Sequence, residues 1–410
     1  MLLSAYETSM CVSSNKGLYN NFIIGAEYKE LLSLGKIINA VKQLCLKYPQ
    51  FSLAVSKDYH SEFINEYDLK NCIDIVNDSS IEEILQKYTD LKFNYADKVP
   101  LWRVVLDSKT NTLFFVVDHT YFDGTAGKTF HVEFCKVLGD DDIVEDSIIR
   151  PKFESYPTST EMMGFQDRFV GSGIIDKGTY PKMDERLMNS PYFKHNYQVV
   201  HLSKEKTDNL VKLARDNGFK LTGLMYSIAS KAIVNSCKDE DNKKIRTMIA
   251  INSRFKVGSQ IDPLFYKFGL FYGTYFHIND TSFIKNSEII EIGKDFQKGL
   301  NENKDKCMED CEVLETKAKN NRSIIEQSQD DMASRDSCPL TTLTISNLGV
   351  LNDDKVSKVY FDQPMIDSAF ALHLISSNDC IALNFTSHRA IPNEIYNTYI
   401  SNVLKFINSF

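Results

Sequence analysis

The segment Thr112–Gly124, Thr-Leu-Phe-Phe-Val-Val-Asp-His-Thr-Tyr-Phe-Asp-Gly, most constrains what this chain can fold into. Its apolar run, Leu113 to Val117, reads as a strand buried inside a sheet. His119 stands where that strand ends. Asp123-Gly124 bends the chain four residues later, and Thr129 to Leu138 then has helical spacing. A buried strand that ends on a histidine, with a carboxylate at the next bend, is how a fold presents a general base to a cleft. Of the 8 histidines, only His119 has an aspartate at this spacing. The same residues would also suit a plain hairpin, with Asp123-Gly124 as its turn pair and His119 a half-buried strand residue. The strand before, the glycine after and the helix beyond favour a site.

Strands and helices alternate in both halves of the chain. Glu30 to Tyr48 carries Leu31, Leu34, Ile37, Ile38, Val41, Leu44 and Cys45 on one stripe, which predicts a helix stopped by Pro49. Phe51 to Val55 reads as a strand, Ser80 to Tyr88 as a short helix, and Leu101 to Leu106 and Thr112 to Val117 as strands. Gly139 to Tyr192 differs in composition, with Asp140-Asp141-Asp142, Pro151, Pro157, Pro181 and Pro191. It reads as a crossover, with Phe153, Phe165 and Phe169 placed to pin it to a surface. Beyond it, Tyr197 to Leu202 is a strand and Ser203 caps a helix that ends at Gly218. Thr222 is expected to cap a buried helix, Gly223 to Asn235. Strand Ile245 to Ile251, a long β segment Leu264 to Ile278, and a charged helical stretch Ser282 to Lys319 follow. Thr341 to Ser346, Lys355 to Phe361, Ala369 to Ile375 and Cys380 to Phe385 read as strands, with Asn378-Asp379 as a hairpin turn. Ile395 to Phe410 is an amphipathic helix.

This alternation predicts an α/β protein with an N-terminal lobe at 1–150 and a crossover at 151–194. The C-terminal lobe at 195–410 is expected to lend a strand or loop back to the first, with a tunnel between the two. The length of 410 residues suits two such lobes. A net charge of −8 without a basic block argues against a nucleic-acid partner. The apolar runs are too short to span a membrane, and Met1 to Met10 lacks the pattern of a secretory signal. Nine scattered cysteines, an odd number, suit reduced thiols of a cytoplasmic protein. Cys307 and Cys311 sit one helical turn apart without a nearby histidine. His277, His373 and His388 show no ligand spacing, so no metal is expected.

Several segments carry a resemblance. The His119–Gly124 stretch resembles the HxxxDG motif of acyltransferases of the chloramphenicol acetyltransferase and condensation-domain superfamily. Leu18-Tyr19-Asn20-Asn21-Phe22, Ala40-Val41-Lys42 through Tyr48-Pro49-Gln50-Phe51, Pro100-Leu101-Trp102-Arg103, Leu221-Thr222-Gly223-Leu224 and Thr344-Ile345-Ser346-Asn347-Leu348-Gly349 resemble, in order, segments of the fungal alcohol O-acetyltransferase family. The chain departs from condensation domains by having Asp118 where they carry a second histidine. It also lacks the DFGWG-type segment of the plant acyltransferases.

The resemblance implies two chloramphenicol-acetyltransferase-like lobes of mixed sheets with flanking helices. It implies acyl transfer from acetyl-CoA, a co-substrate and not a bound cofactor, to an alcohol. His119 would be the general base, with no covalent intermediate. Asp123 would pair with an arginine of the second lobe and hold the loop that aims the histidine. Arg254 is the candidate, its alternative being a solvent-facing loop charge. Gly124 would allow a tight bend and close approach of backbone to ligand. Ser346 and Asn347 would face the cleft, either as donors to the oxyanion or as a turn with local hydrogen bonds only. Lys256, Lys267 and Arg389 are the candidates for the CoA phosphates. His131 reads as a satisfied or exposed helix residue, and Cys135 is not expected to be a nucleophile. Two alternatives remain: N-acetylation of a long-chain sphingoid base, and a carrier-protein-dependent condensation. The chain is expected to be a cytoplasmic monomer. Its terminal helix would pack on its own lobe or lie against a lipid surface of the endoplasmic reticulum or a lipid droplet.

Overall fold

The run Thr112–Asp118 forms the middle strand of a five-stranded sheet, and all seven of its residues are buried. Burial on both faces is what its unbroken apolar sequence demands. The computed structural model describes residues 3, 5–15, 21–77, 79–139, 146–153, 196–237, 243–254, 263–303, 326, 341–364, 368–378, 380–388 and 390–410.

In chain order the first half comprises α1 (Ala5–Asn15), β1 (Asn21–Tyr28), α2 (Leu34–Lys47), β2 (Leu53–Val55), β3 (Ser61–Phe63), β4 (Tyr67–Asp68), β5 (Ile73–Val76), α3 (Ile81–Thr89), β6 (Trp102–Asp107), β7 (Thr112–Asp118), α4 (Gly124–Val137) and β8 (Ile148–Ile149). The second comprises β9 (Asn196–Leu202), α5 (Lys204–Asp216), α6 (Leu221–Ser236), β10 (Lys244–Asn252), α7 (Pro263–Tyr266), β11 (Tyr272–Asp280), α8 (Thr281–Asn286) and α9 (Ile289–Asn303). After these come β12 (Thr341–Val350), β13 (Val356–Asp362), β14 (Ser368–Ser376), β15 (Ile381–Ser387) and α10 (Asn393–Asn408).

One mixed sheet has the order β13-β1-β7-β6-β5 and the other β11-β10-β12-β14-β15-β9. The first takes its edge strand from late in the chain: β13 runs antiparallel to β1, with Ile23 opposite Asp362. Helices α2 and α4 cover the first sheet, and Phe22, Val41, Leu44, Phe51, Trp102, Phe115, Phe130 and Phe134 share its core. Helices α5, α6, α9 and α10 pack with the second. Among the described residues, no helix is long and apolar enough to cross a membrane.

Several elements differ from the sequence expectation. Helix α2 starts at Leu34 because Ser33 accepts the Lys36 N–H as its cap, which leaves Leu31 exposed. Phe51 lies in a short 3-10 turn, Pro49–Ser52, and only Leu53–Val55 is strand. Thr222 is not the cap of α6: Lys220 is, and Thr222 lies within the first turn. Pro263–Tyr266 is helical, so the β segment begins only at Tyr272. The buried face of α10, with Tyr399, Val403 and Ile407, packs into the second core, so that face is not available to lipid. Phe153 stacks on Phe63 at 6.0 Å. Phe165, Phe169, most of the crossover, Cys307, Cys311, Cys338 and Asp379 lie outside the described residues. The six described cysteines are free and buried.

A loop of the second half docks into the first. Phe268 is fully buried with its ring 4.7 Å from that of Tyr48 and 4.9 Å from that of Phe51. Beside it Lys267 reaches Glu133 at 3.1 Å. Burial works against the charge on Glu133, but hydrogen bonds from Lys136, Tyr48 and Lys267 hold its carboxyl at about 2.

His131, on the same helix as Glu133, is wholly buried, and its ring makes two hydrogen bonds. Nε2 lies 3.0 Å from the Ile24 carbonyl, which can only accept, so the proton sits on Nε2 and Nδ1 accepts from Tyr28 Oη at 3.0 Å. Burial lowers its pKa to about 4. A histidine depressed in the fold and ordinary when unfolded contributes stability in full above about pH 6.5, lost progressively as the pH falls toward the folded value. Urea denaturation should therefore show a loss of about 2 kcal/mol from this group between about pH 6.5 and about pH 5. His131→Gln should flatten that slope; an unchanged slope would place the acid sensitivity elsewhere.

Candidate active site

Asp123 is the N-cap of α4: its Oδ1 accepts the Ala126 N–H at 2.8 Å. The helix therefore starts at Gly124, ahead of the expected Thr129. Glycine, threonine and alanine in its first turn carry no apolar periodicity to mark the start. Strand β7 ends at Asp118, and His119 follows in the short loop between strand and helix. Its ring lies edge-on to Phe22 at 5.1 Å and tilted against Tyr272 at 5.3 Å. His119 is 6% exposed, and that opening faces a cavity of about 100 Å³. Burial lowers its pKa to about 4, against the opposing pull of the Asp123 charge.

The other oxygen of Asp123 faces the second sheet. Oδ2 accepts Arg254 Nη1 at 2.6 Å and the Phe271 N–H at 2.8 Å. Arg254 follows the end of β10 and also donates to the carbonyls of Tyr266 and Gly269, each at 2.8 Å. It is no solvent-facing charge: its side chain is 11% exposed and that of Asp123 3%. One ion pair thus joins the start of α4 to the loop that leads into β11.

Gly124 does not adopt a left-handed conformation; it is the first residue of the helix, directly after the N-cap. Its need is for space. A Cβ there would clash with Leu348 Cδ2, so that side chain would have to shift. Leu348 lies on β12, and its carbonyl accepts Lys128 Nζ at 2.6 Å. The Ser346–Gly349 strand end is thereby laid across the first turns of α4.

Ser346 and Asn347 both line the cavity, but differently. The Asn347 side chain accepts the Gly349 N–H at 2.9 Å and donates to Thr222 Oγ1 at 3.1 Å. That is the local turn, extended to α6. Ser346 is 4% exposed on the cavity wall. The wall also holds Met248, Thr274, Thr344 and Gln363, which sequence reasoning missed, along with Tyr272. Alternation along β10, β11 and β12 could have picked them out only once the sheet order was known.

Lys267 is engaged with Glu133, and Lys256 and Arg389 lie outside the described residues. Burial pushes the Cys135 thiol up to about 12, which leaves it unsuited to nucleophilic attack. Among the described residues, no group of three or more His, Cys, Asp or Glu could hold a metal ion.

Two outcomes follow from this geometry. Asp123→Asn leaves Arg254 buried without its counter-charge and should cost about 3 kcal/mol of stability in a urea titration. Arg254→Gln should cost a similar amount, and the double variant clearly less than the sum. Additive losses would mean that the pair does not act as a unit. Gly124→Ala should displace Leu348 and lower turnover, and Leu348→Ala in the same chain should recover part of it. A Gly124→Ala protein with normal turnover would show that the contact is unimportant.

The alcohol acetyltransferase family model matches residues 5–75 and 72–391. N-acetyltransferase SLI1 of Saccharomyces cerevisiae (strain ATCC 204508 / S288c) is 24% identical over 137 residues, covering 30% of this chain. That match spans 28% of the relative's own length. TRI3 trichothecene 15-O-acetyltransferase from Fusarium sporotrichioides superposes with a TM-score of 0.67 at 13% identity, over 99% of this chain and 93% of that one. The epimerization domain from the third module of tyrocidine synthetase B superposes with a TM-score of 0.61 at 12% identity, over 100% of this chain and 96% of that one. At such identities the likeness shows the fold alone, a two-lobed α/β plan. Matched by the family model along nearly its whole length, the chain belongs to the alcohol acetyltransferase family.

Proposed function

We propose that this protein moves an acetyl or short acyl group from acetyl-CoA to an alcohol, forming an ester, with His119 as general base. The observation that carries the reading is a buried, neutral imidazole on the wall of a cavity that also holds the Ser346 hydroxyl. The ring takes the proton of the attacking O–H as the oxygen bonds to the thioester carbonyl carbon. The C–S bond of the tetrahedral intermediate then breaks, and the proton passes from the imidazolium to the departing thiolate. Ser346 donates to the oxyanion. Asp123 does not touch substrate; with Arg254 it holds the loop that aims His119.

Acetyl-CoA acts as a substrate and not as a resident cofactor. A second cavity, of about 490 Å³, lies between α5, α6 and α9 and is bordered by Arg215 and Lys220. Thr222, in the first turn of α6 and next to Leu221 of this second cavity, accepts a hydrogen bond from Asn347 of the first. Those cations suit the phosphates of the CoA nucleotide. The protein works as a cytoplasmic monomer in this reading.

An amine acceptor is the second reading, favoured by the match to an N-acetyltransferase. The long-chain sphingoid base is the form considered. A carrier-bound donor is less well supported, since Asp118 replaces the second histidine of condensation domains.

Thiol release from acetyl-CoA, measured with short alcohols, branched alcohols and a sphingoid base, tests the reading. Acceptor-dependent release is expected, and His119→Ala should lower kcat by about 10²-fold or more without loss of fold. The base must be neutral to work. The acid limb of kcat/KM should therefore fall near about pH 4, well below that of an ordinary histidine near 6.5. Near-normal turnover of His119→Ala would remove it as the base.

A further inference from the structure

Both chain neighbours of His119 are held by one buried carboxylate. Asp118 is 1% exposed, and its two oxygens receive four donors. Oδ1 accepts the Thr120 N–H at 2.9 Å and Thr120 Oγ1 at 2.5 Å. Oδ2 accepts Ser14 Oγ at 2.7 Å and Tyr95 Oη at 3.1 Å. The Thr120 hydroxyl has one proton and gives it to Asp118. The contact between Thr120 Oγ1 and Cys11 Sγ, at 3.1 Å, therefore has the thiol as donor. Burial raises the pKa of Asp118, and the hydrogen bonds from Thr120, Ser14 and Tyr95 oppose that rise.

Two members of this network, Cys11 and Ser14, come from α1, more than a hundred residues earlier in the chain. Leu3 and Cys11 belong to the same apolar core as Val117 and Phe122 on either side of the His119 loop. Among the described residues that line the cavity, none belongs to this network. A fold that buries a carboxylate beside its reactive histidine, and brings a distant helix to satisfy it, has a use for a fixed setting of that loop.

We propose that Asp118 is a positioning residue for the reaction, and that α1 supports the catalytic loop through Ser14 and Cys11. The network fixes residues 118 and 120 and so sets the direction of the His119 ring between Phe22 and Tyr272. The proposal rests on the reading of His119 as the base.

The test compares Ser14→Ala, Ser14→Thr and Asp118→Asn with His119→Ala, using full-length protein and saturating acetyl-CoA and acceptor. Rates are normalised to the folded fraction by circular dichroism. Ser14→Ala and Asp118→Asn are expected to lower kcat by roughly tenfold to a hundredfold with KM nearly unchanged, the cost of a slightly misplaced catalytic group. Ser14→Thr, which keeps the hydroxyl, should restore most of the rate. If both variants melt earlier yet keep wild-type kcat per folded molecule, while His119→Ala is inactive, Asp118 is merely structural and the proposal falls with the base reading intact. If His119→Ala itself stays active, the base reading falls and takes the proposal with it.

Discussion

The buried carboxylate of Asp123 holds three donors from different parts of the chain: the Ala126 N–H, the Arg254 guanidinium and the Phe271 N–H. The first starts α4, worth about 1 kcal/mol as a helix cap. The others tie that helix to the end of β10 and the start of β11, on the second sheet. A buried ion pair adds little net stability over an apolar pair of similar size, because desolvation offsets attraction. What it adds is direction. An apolar contact tolerates sliding, whereas a guanidinium with donors on Asp123, Tyr266 and Gly269 has one setting. The loop carrying His119 is thereby referred to the second sheet, which forms the opposite wall of the cavity.

Affinity between the two halves comes from elsewhere. Phe268 fills an aromatic pocket of the first half, and burying a phenylalanine contributes roughly 2–3 kcal/mol. Strand β13 adds a ladder of backbone hydrogen bonds along β1, and Lys267 with Glu133 closes the rim. Non-directional burial holds the halves together while the directional pair sets their alignment. The division matters because acyl transfer tolerates little error in the placement of its reacting groups.

The strand, His119 and Asp123 are legible in the sequence because their signals are local: an unbroken apolar run, and two polar residues at fixed spacing. Arg254 is legible only through resemblance, since nothing within Ile251–Arg254 says that its side chain folds back toward Asp123. The late start expected for α4 and the cap expected at Thr222 fail for one reason. Caps and first turns carry little periodicity. The remaining cavity wall is not readable from the sequence at all. Met248, Thr274 and Thr344 become neighbours only through the pairings of β10 with β11 and β12, which join residues far apart in the chain.

The low pKa of His119 looks unfavourable for a base, yet it follows from the same construction. Asp123 pulls the ring toward protonation, but Arg254 already answers most of that charge, and burial wins. The lowered pKa favours a neutral ring near neutral pH, the form that the proposed base requires. On the proposed reading, the ring gains positive charge in the transition state as the substrate oxygen gains negative charge. The two charges arise together, in a site shielded from water, and each lowers the cost of the other. A ring already protonated at rest would gain nothing from that pairing. Burial thus penalises the charged histidine only when it is alone, which is the state in which the chemistry has no use for it.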